Sequence, residues 1–409
     1  MSLELSDSYE YVIIGGGTAA DKAARAISEA GGKKILVASG DSDGPVYRPD
    51  LSKTLWHKNG EEAKPESSAL DTAEVEGVEL VLEVFATALD AEAHTVHLES
   101  EDGQATVRYG TLLLATGASP NMPFAPDDER VVYFRSAADY RELRAAAGEG
   151  KRAVVAGGGY IGSELASALS SVGAKTTLLY KGEHLLEQMF PPSITAKIET
   201  AYREHGVELR PGFEVSGVEP GGAGGFVQIS GEGGETVEAD IVAVGFGVHP
   251  NVRLAEDAGI DIDGGVLVDE HMRTSAPDVY AAGDIAAFVD PLFGRRRVEH
   301  VDNAEHTGEV AGKNMAGGDE TYEYTPIFWS DLFDDGYEAI GTLDASADAI
   351  ERWNDDGTAA VVYYVRDGKP IGVLLWNTWD STGAAKKAVA AVNSGEMTLD
   401  QLKDEIEPG

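Results

Sequence analysis

Two glycine-rich stretches about 140 residues apart decide the fold of this chain: Tyr11-Val12-Ile13-Ile14-Gly15-Gly16-Gly17-Thr18-Ala19-Ala20 and Ala153-Val154-Val155-Ala156-Gly157-Gly158-Gly159-Tyr160-Ile161-Gly162. In each, an apolar run predicts a buried strand, the glycines predict a tight turn, and the residues that follow predict a helix. Bare backbone at such a turn can approach a pyrophosphate, and the helix N-terminus offers N–H groups to the anion. One copy is weak evidence, because a plain turn has the same glycines. Two copies predict two dinucleotide cofactors that exchange electrons.

Composition limits the classes of partner. The 409 residues are enough for two or three domains. The formal charge is −39, with 71 acidic against 32 basic residues, and a field of that sign repels nucleic acid and anionic lipid. The excess predicts either a surface adapted to high salt, where screening removes self-repulsion, or an ordinary acidic protein. We favour the halophilic interpretation.

Other classes of site are disfavoured by what the sequence lacks. It has no cysteine, which excludes disulfides, a thiolate nucleophile and cysteine-ligated metal centres. Scattered histidines such as His94, His97, His271 and His306 predict no metal site. No stretch approaches 18 apolar residues, and the N-terminus resembles neither a secretory signal nor a mitochondrial leader. We expect a cytoplasmic protein without a membrane span.

The region around the first glycine stretch predicts a Rossmann-like half. A helix is expected over Ala19 to Glu29 and a second strand over Lys34 to Ala38. Asp41 follows this strand, and either its carboxylate or the backbone would hold an adenosine ribose. Alternation over Val78 to Leu89 and over Thr95 to Leu98 predicts a small antiparallel layer. The run Leu112 to Gly117 predicts a buried strand.

The region around the second stretch predicts an equivalent half. Its second strand, Lys175 to Tyr180, is followed by Lys181 and then Glu183. An acid there favours NADH and a base tolerates NADPH, so both remain open. The glycine-rich stretch 217–235 predicts a hairpin region with Gly221 to Gly225 as its tip. A further strand is expected over Asp240 to Gly245.

Two segments in the last third of the chain carry separate predictions. Asp284 follows the short strand of Val279 to Gly283. It could reach a ribitol hydroxyl of a flavin, cap a helix over Ile285 to Phe288, or do both. From about residue 320, strands over Ala359 to Val365 and Ile371 to Trp376, with a turn between them, predict a hairpin. A helix over about Ser381 to Val392 would complete an α+β module.

Together these motifs resemble the pyridine-nucleotide-dependent flavoproteins, which have the glutathione-reductase-like fold. The resemblance rests on both glycine stretches, ATG at 115–117, AVGFGVHPN at 243–251 and AAGD at 281–284. It implies an α/β fold with two Rossmann-like dinucleotide-binding domains and a C-terminal α+β interface domain. The expected boundaries are 1–120 and 250–318 for an FAD domain, 121–249 for an NAD(P) domain that interrupts it, and 319–409 for the last domain.

A narrower resemblance points to the apoptosis-inducing-factor branch, with features shared by ferredoxin and rubredoxin reductases. The segments that carry it are 14–20, 48–53, 159–166, 294–300, 328–332 and 336–341. Three features depart from the animal proteins: the missing mitochondrial leader, the short region between Asp344 and Ala359, and the acidic surface. An apoptotic role is therefore not implied, and the redox module is the shared part.

The resemblance implies three candidate catalytic residues. Lys53, expected in a helix after Pro49, and Glu164 would pair beside flavin N5, whereas composition alone would make them unrelated surface charges. Tyr160 would cover the flavin until a nicotinamide displaces it, or would only pack the helix. Trp329 would stack on the flavin or nicotinamide edge, or fill an interface core.

The same resemblance implies further cofactor contacts. Glu299 and Glu338 would contact the nicotinamide nucleotide, and His300 and Val301 would approach the isoalloxazine. Arg48 and Arg135 would approach FAD phosphates or ring oxygens, although Arg135 could equally be a surface residue. The remaining candidate cofactor-binding residues are Gly15, Gly16, Gly17, Thr18, Ala19, Thr116, Gly117, Gly158, Gly159, Ile161, Gly245 and Gly283.

The predicted function is that of an FAD-dependent NAD(P)H oxidoreductase. A hydride would pass from NAD(P)H to flavin N5, and the electrons would go on to a quinone, oxygen or a small electron-transfer protein. An acidic ferredoxin would be repelled at low salt. The alternative is an NADH-sensing redox protein with slow turnover and nicotinamide-linked dimerisation, so a homodimer is also considered.

Overall fold

The structure is a computed structural model that describes residues 3–124, 126–222 and 225–409. In these ranges the α-helices are α1 Thr18–Glu29, α2 Pro49–Ser52, α3 Ala137–Ala146, α4 Tyr160–Ser171, α5 Pro192–Glu204, α6 Arg253–Asp257, α7 Val301–Met315 and α8 Thr382–Ser394. The strands are β1 Ser8–Ile14, β2 Ile35–Ala38, β3 Val78–Val81, β4 Phe85–Asp90, β5 Thr95–Ser100, β6 Gly103–Leu114, β7 Ala118–Pro120, β8 Val131–Tyr133, β9 Arg152–Ala156, β10 Lys175–Leu179, β11 Glu208–Arg210, β12 Val215–Glu219, β13 Val227–Gly231, β14 Thr236–Ala239, β15 Ile241–Val244, β16 Val248–Pro250, β17 Val266–Leu267, β18 Val279–Ala281, β19 Ala286–Asp290, β20 Gly294–Arg297, β21 Ile327–Leu332, β22 Asp335–Gly341, β23 Asp348–Trp353, β24 Ala360–Arg366 and β25 Lys369–Trp376.

The chain divides into two compact units. The first consists of Met1–Arg48, Ser68–Ser119 and His249–Pro326, and the second of Pro49–Ser67, Pro120–Val248 and Ile327–Gly409. The α/β fold class predicted from the sequence is confirmed, because each unit combines a sheet of mostly parallel strands with α-helices. The three-domain division, with its exact boundaries, stays a prediction.

The first unit is built around a mostly parallel sheet in the order β3-β2-β1-β6-β5-β4, with β18 beside β6. Strand β1 lies between β2 and β6 and pairs in parallel with both. Helices α1 and α7 approach closely because α7 has a glycine at the contact. A Cβ added at Gly308 would lie 2.4 Å from the backbone oxygen of Ala19.

One sheet prediction for the first unit is wrong in part. Strands β4, β5 and the first part of β6 form the expected antiparallel layer. Residues Val78 to Val81, however, pair in parallel with Ile35–Ala38 at the opposite edge of the sheet. Residue alternation reports which side chains are buried and says nothing of strand direction, so the two arrangements look alike in sequence.

The second unit contains three sheets. The parallel sheet has the order β11-β10-β9-β15-β8, and β12-β13-β14 form an antiparallel sheet from the glycine-rich region. The tip predicted at Gly221 to Gly225 lies partly outside the described residues, at positions 223 and 224. The third sheet, β21-β22-β25-β24-β23, is antiparallel. Its predicted hairpin turn forms at Asp367 and Gly368, whose φ angles of 51° and 74° suit a type I′ turn.

The segment Pro49–Ser67 belongs to the second unit and places one candidate residue. Pro49 opens helix α2, but the helix ends at Ser52, so the prediction that Lys53 lies in a helix is wrong. Lys53 has φ −128° and ψ −95°, outside the helical region, and precedes a 3₁₀ turn over Thr54–His57. In the part of the chain that the structure describes, no helix has the length and hydropathy to span a bilayer.

Candidate active site

The first glycine turn has a distinct role for each glycine. Gly15 has φ 124°, and a Cβ there would lie 2.0 Å from the Ala115 backbone oxygen. A Cβ at Gly16 would lie 2.2 Å from Ser39 Oγ, at the end of the neighbouring strand. Around Gly17, which caps α1, no described neighbour lies within 4 Å of the Cβ position. The turn therefore leaves bare backbone and open space at the N-terminus of α1, as a pyrophosphate requires.

The second turn repeats this pattern in the second unit. Gly157 has φ 115° with the Gly245 oxygen 2.3 Å from its Cβ position, and Gly158 packs on Tyr180. Gly159 caps α4 and has no described neighbour within 4 Å of its Cβ position. A Cβ at Gly162 would lie 1.8 Å from the Gly157 oxygen, so this glycine packs helix against turn.

An ion pair follows the second strand of the first unit. Arg48 Nη2 donates to Asp41 Oδ2 at 2.7 Å. The two side chains were predicted separately, Asp41 as a ribose contact and Arg48 as a phosphate or ring contact. The structure places them together, which fixes the arginine's head group at the edge where the sheet's strands end.

The ATG segment is held by a residue of the later AVGFGVHPN motif. Thr116 Oγ1 donates to the Asn251 carbonyl at 2.9 Å, and Asn251 Nδ2 donates to the Thr116 carbonyl at 2.8 Å. Gly117 has φ 66°, and its carbonyl accepts from Asn251 N–H at 2.9 Å. These reciprocal bonds make the turn after β6 rigid.

The expected helical cap at Asp284 is wrong. Gly283–Ile285 form a single 3₁₀ turn, and a strand, Ala286–Asp290, takes the place of the expected helix. The five consecutive apolar residues 285–289 have no polar face and fit a largely buried strand better than an amphipathic helix. The Gly283 N–H donates to Thr307 Oγ1 at 3.0 Å.

The start of α7 carries three candidate residues. His300 caps the helix, with Nδ1 accepting from the Asp302 N–H at 3.3 Å, so a neutral imidazole carries its proton on Nε2. Val301 is the first helical residue. Glu299 is ion-paired with Arg297, whose guanidinium also donates to the Asp284 carbonyl.

The strongest polar cluster of the second unit centres on Glu164. Lys53 Nζ donates to Glu164 Oε1 at 2.6 Å. Ser330 Oγ donates to the same oxygen and Ser52 Oγ to Oε2, each at 2.6 Å. Glu164 is only 5% exposed. A buried carboxylate saturated in this way holds a cation at a defined point, which suits a group that sets the field at a reacting atom.

Tyr160 sits in an aromatic cluster at the start of α4. Its ring centroid lies 6.4 Å from Phe190, 6.3 Å from Phe328 and 6.5 Å from Tyr337. Burial raises the pKa of the Tyr160 phenol, so it stays neutral. The next residue, Ile161, is an exposed apolar side chain at the same helix end.

Trp329 and Glu338 are cross-strand partners in β21 and β22, and so share one face of the sheet. Burial, with a contribution from Asp380, raises the pKa of Glu338, although the Ser381 and Asp380 N–H groups donate to it. Its Oε2 is buried without a hydrogen-bond partner among the described residues. A buried carboxylate oxygen of this kind can accept from a ligand hydroxyl or amide.

Arg135 lies directly before Ser136, the N-cap of α3. Its N–H donates to Asp139 Oδ2 at 2.8 Å, next to the Ser136 cap of α3. The cofactor contact of Arg135 stays a prediction.

The candidate residues divide between the two units. The first unit holds Gly15, Gly16, Gly17, Thr18, Ala19, Asp41, Arg48, Thr116, Gly117, Gly283, Asp284, Glu299, His300 and Val301; the second holds Lys53, Arg135, Gly158, Gly159, Tyr160, Ile161, Glu164, Gly245, Trp329 and Glu338. Sequence reasoning missed Ser52 and Ser330, although both stand inside motifs that carried the resemblance.

Comparison with family models gives two matches. Residues 9–308 match the model described as pyridine nucleotide-disulphide oxidoreductase. Residues 311–359 match the model described as apoptosis-inducing factor, mitochondrion-associated, C-term.

Curated proteins and solved structures give similar relatives. The ferredoxin–NAD(+) reductase component of the anthranilate 1,2-dioxygenase system of Burkholderia cepacia is 33% identical, over 93% of this chain and 94% of the relative. Mitochondrial apoptosis-inducing factor 1 of Dictyostelium discoideum is 30% identical, over 98% of this chain and 82% of the relative. The crystal structure of the covalent putidaredoxin reductase–putidaredoxin complex superposes with a TM-score of 0.82 at 29% identity, covering 96% and 94% of the two chains.

Proposed function

Because this chain belongs to the pyridine nucleotide-disulphide oxidoreductase family, we propose that it is a reductase that takes a hydride from NADH onto FAD and passes the electrons to a small electron-transfer protein. Family membership gives the coarser statement directly: the chain is an FAD-dependent NAD(P)H oxidoreductase. The chain has no cysteine, so its electrons do not pass through a redox disulfide. The observation that carries the proposal is the open glycine turn in each unit.

Each glycine turn would bind one of the two cofactors. The turn ending in Gly17 would hold the FAD pyrophosphate, with Arg48 and Asp284 as further polar contacts in the same unit. The turn ending in Gly159 would hold the pyrophosphate of the nicotinamide nucleotide. In both, N–H groups at a helix N-terminus meet the anion.

Bound FAD supplies the hydride-accepting atom N5. Lys53 would hold its ammonium beside that atom, and Glu164 would fix the ammonium's position. Tyr160 would cover the flavin face and give way to the nicotinamide ring, while Glu338 would accept a hydrogen bond from the nucleotide. Holding two rings in contact makes the transfer effectively intramolecular, which supplies most of the rate.

We propose NADH as the preferred donor from the loop after β10. Lys181, the base that could tolerate a 2′-phosphate, is ion-paired with Glu214, to which it donates at 2.6 Å. Glu187 folds over Gly182, whose Cβ position lies 2.2 Å from Glu187 Oε1. With Glu183 nearby in sequence, the loop is acidic, which favours a ribose 2′-OH and opposes a 2′-phosphate. We expect kcat/KM to favour NADH by at least about tenfold; equal use of NADPH would contradict this.

Two similar proteins support a protein acceptor. One is named a ferredoxin–NAD(+) reductase component, and the other is solved as a complex with putidaredoxin. The test is steady-state turnover with NADH and a series of acceptors. An iron–sulfur protein should give the highest kcat/KM, and an acidic one should react faster as salt screens the −39 charge. Turnover with quinone or oxygen alone would overturn the proposal.

A second candidate function is NADH sensing with slow turnover. The match of residues 311–359 to the C-terminal model of apoptosis-inducing factor favours it. A persistent long-wavelength absorption band and a doubling of mass on addition of NADH would identify the sensor. Fast reoxidation by an acceptor without a mass change would identify the reductase.

We further propose that the acidic surface is an adaptation to high salt, because 71 acidic residues far exceed 32 basic ones. The free energy of unfolding should then fall as salt is withdrawn. The homodimer and the cytoplasmic location remain predictions from the sequence.

A further inference from the structure

The hydrogen bonds to the carboxylate of Glu164 join three separated parts of the second unit. Ser52 and Lys53 come from the segment Pro49–Ser67, Glu164 from α4, and Ser330 from β21. Oε2 accepts from Ser52, and Oε1 accepts from both Lys53 and Ser330, each at 2.6 Å. Distances this short are typical of hydrogen bonds to an ionised acceptor.

Both serines are themselves buried, at 5% exposure for Ser52 and 2% for Ser330. Ser330 also bonds to the phenol of Tyr337, its cross-strand partner. The Ser330 hydroxyl therefore lies between the Glu164 carboxylate and the Tyr337 phenol.

The geometry restricts the carboxylate in two ways. Ser52 and Lys53 are consecutive residues that bind opposite oxygens of Glu164, so the end of α2 fixes the rotation of the carboxylate plane. Ser330 occupies a second lone pair of Oε1 and limits the positions that Lys53 Nζ can take on that atom.

We propose that Ser52 and Ser330 are positioning residues of the hydride-transfer centre. They keep the Glu164 carboxylate in one orientation, and through it they hold the Lys53 ammonium at a fixed point. This inference rests on the proposed function, in which the Lys53–Glu164 pair acts on bound FAD. A merely structural role, filling the lone pairs of a buried carboxylate, would affect unfolding but not the flavin.

The experiment compares S330A, S52A and the double variant with the FAD-loaded wild type. Each single variant should slow the limiting rate of flavin reduction by NADH about tenfold, the value of one hydrogen bond to a charged group. The Kd for NADH should stay unchanged. The flavin reduction potential, which needs no turnover, should fall by about 30 mV, equivalent to tenfold for a two-electron couple.

Three further variants make the result specific. S330T keeps a hydroxyl donor and should restore both rate and potential. S330C keeps the volume with a weak donor, should behave as S330A, and replaces it if the alanine variant does not fold. S171A removes a helix hydroxyl that donates to the Ala168 carbonyl of its own helix, and should match the wild type.

Glu164→Gln distinguishes failure of the proposed Lys53–Glu164 placement from failure of the positioning role. If it leaves the flavin potential unchanged, the proposed placement of the pair beside the flavin fails. If it shifts the potential in either direction while S330A and S52A leave rate and potential unchanged, the placement stands and the positioning role is overturned.

Discussion

Replacing Gly159 by alanine should separate ligand binding from folding. Gly159 has φ −86° and ψ −170°, which any residue can adopt, and the added methyl would meet no described neighbour within 4 Å. Alanine is a poorer helix cap than glycine by up to about 1 kcal/mol. Alanine also restricts the unfolded chain more than glycine does, which stabilises the folded state by about 0.4–1 kcal/mol. The free energy of unfolding without ligands should therefore change by less than about 0.5 kcal/mol.

Binding should respond very differently. The methyl would occupy the space proposed for the pyrophosphate and would disturb at least one hydrogen bond to a charged group, worth about 1.5–3 kcal/mol. The Kd for NADH should rise about 10- to 100-fold. The assay pairs urea unfolding of the ligand-free protein with calorimetric titration by NADH.

The matched variant is Gly17→Ala in the first turn, which should weaken FAD binding and spare NADH binding. Gly162→Ala is the opposite control, because its Cβ would lie 1.8 Å from the Gly157 oxygen, and it should lower stability. An unchanged Kd for NADH in Gly159→Ala would refute the assignment of this space to the ligand.

Three further predictions concern stability. Replacing Glu164 by leucine should cost about 3–5 kcal/mol in urea unfolding, because the partly buried Lys53 ammonium loses its partner. Glutamine keeps the acceptor geometry and should cost about 1–2 kcal/mol; equal costs for the two variants would contradict this. Gly308→Ala should lower the free energy of unfolding by more than about 1 kcal/mol, since its methyl would lie 2.4 Å from the Ala19 backbone oxygen in the facing helix. An unchanged urea midpoint would contradict this prediction. Hydrogen bonds from Ser346 and Arg366 lower the pKa of Asp344 to about 2 from 3.8. The ionised carboxylate therefore contributes to the free energy of unfolding, by under about 1 kcal/mol at this half-exposed site. That contribution is complete above about pH 4 and is lost as the pH falls through about 2. In Asp344→Asn, the free energy of unfolding should therefore fall less between about pH 4 and about pH 2 than in the wild type. An unaltered pH profile would contradict this contribution of Asp344.

The dinucleotide half-folds were predictable because their signals are local. The strand, turn and helix around Gly15 and around Gly157 lie within about twenty residues each, and their apolar runs match the strands and helices that the structure has. The hairpin turn at Asp367 was equally local. Family resemblance supplied the rest of the fold class, which similarity to solved structures confirms.

The features that the sequence did not predict correctly depend mainly on residues that are distant in the sequence. Ser52 and Ser330 reach Glu164 across 112 and 166 positions, and no periodicity links them. The direction of Val78 to Val81 depends on which strand it joins, and alternation does not encode that choice. The cap expected at Asp284 failed because a strand follows it at once.

The most direct test of the central claim is anaerobic stopped-flow reduction of the FAD-loaded protein by NADH and by NADH deuterated at the transferred C4 position. Direct hydride transfer between nucleotide and flavin predicts rapid bleaching of the flavin band, slower with the deuterated donor. A flavin band that stays oxidised under excess NADH, or a protein that binds no FAD, would contradict the account.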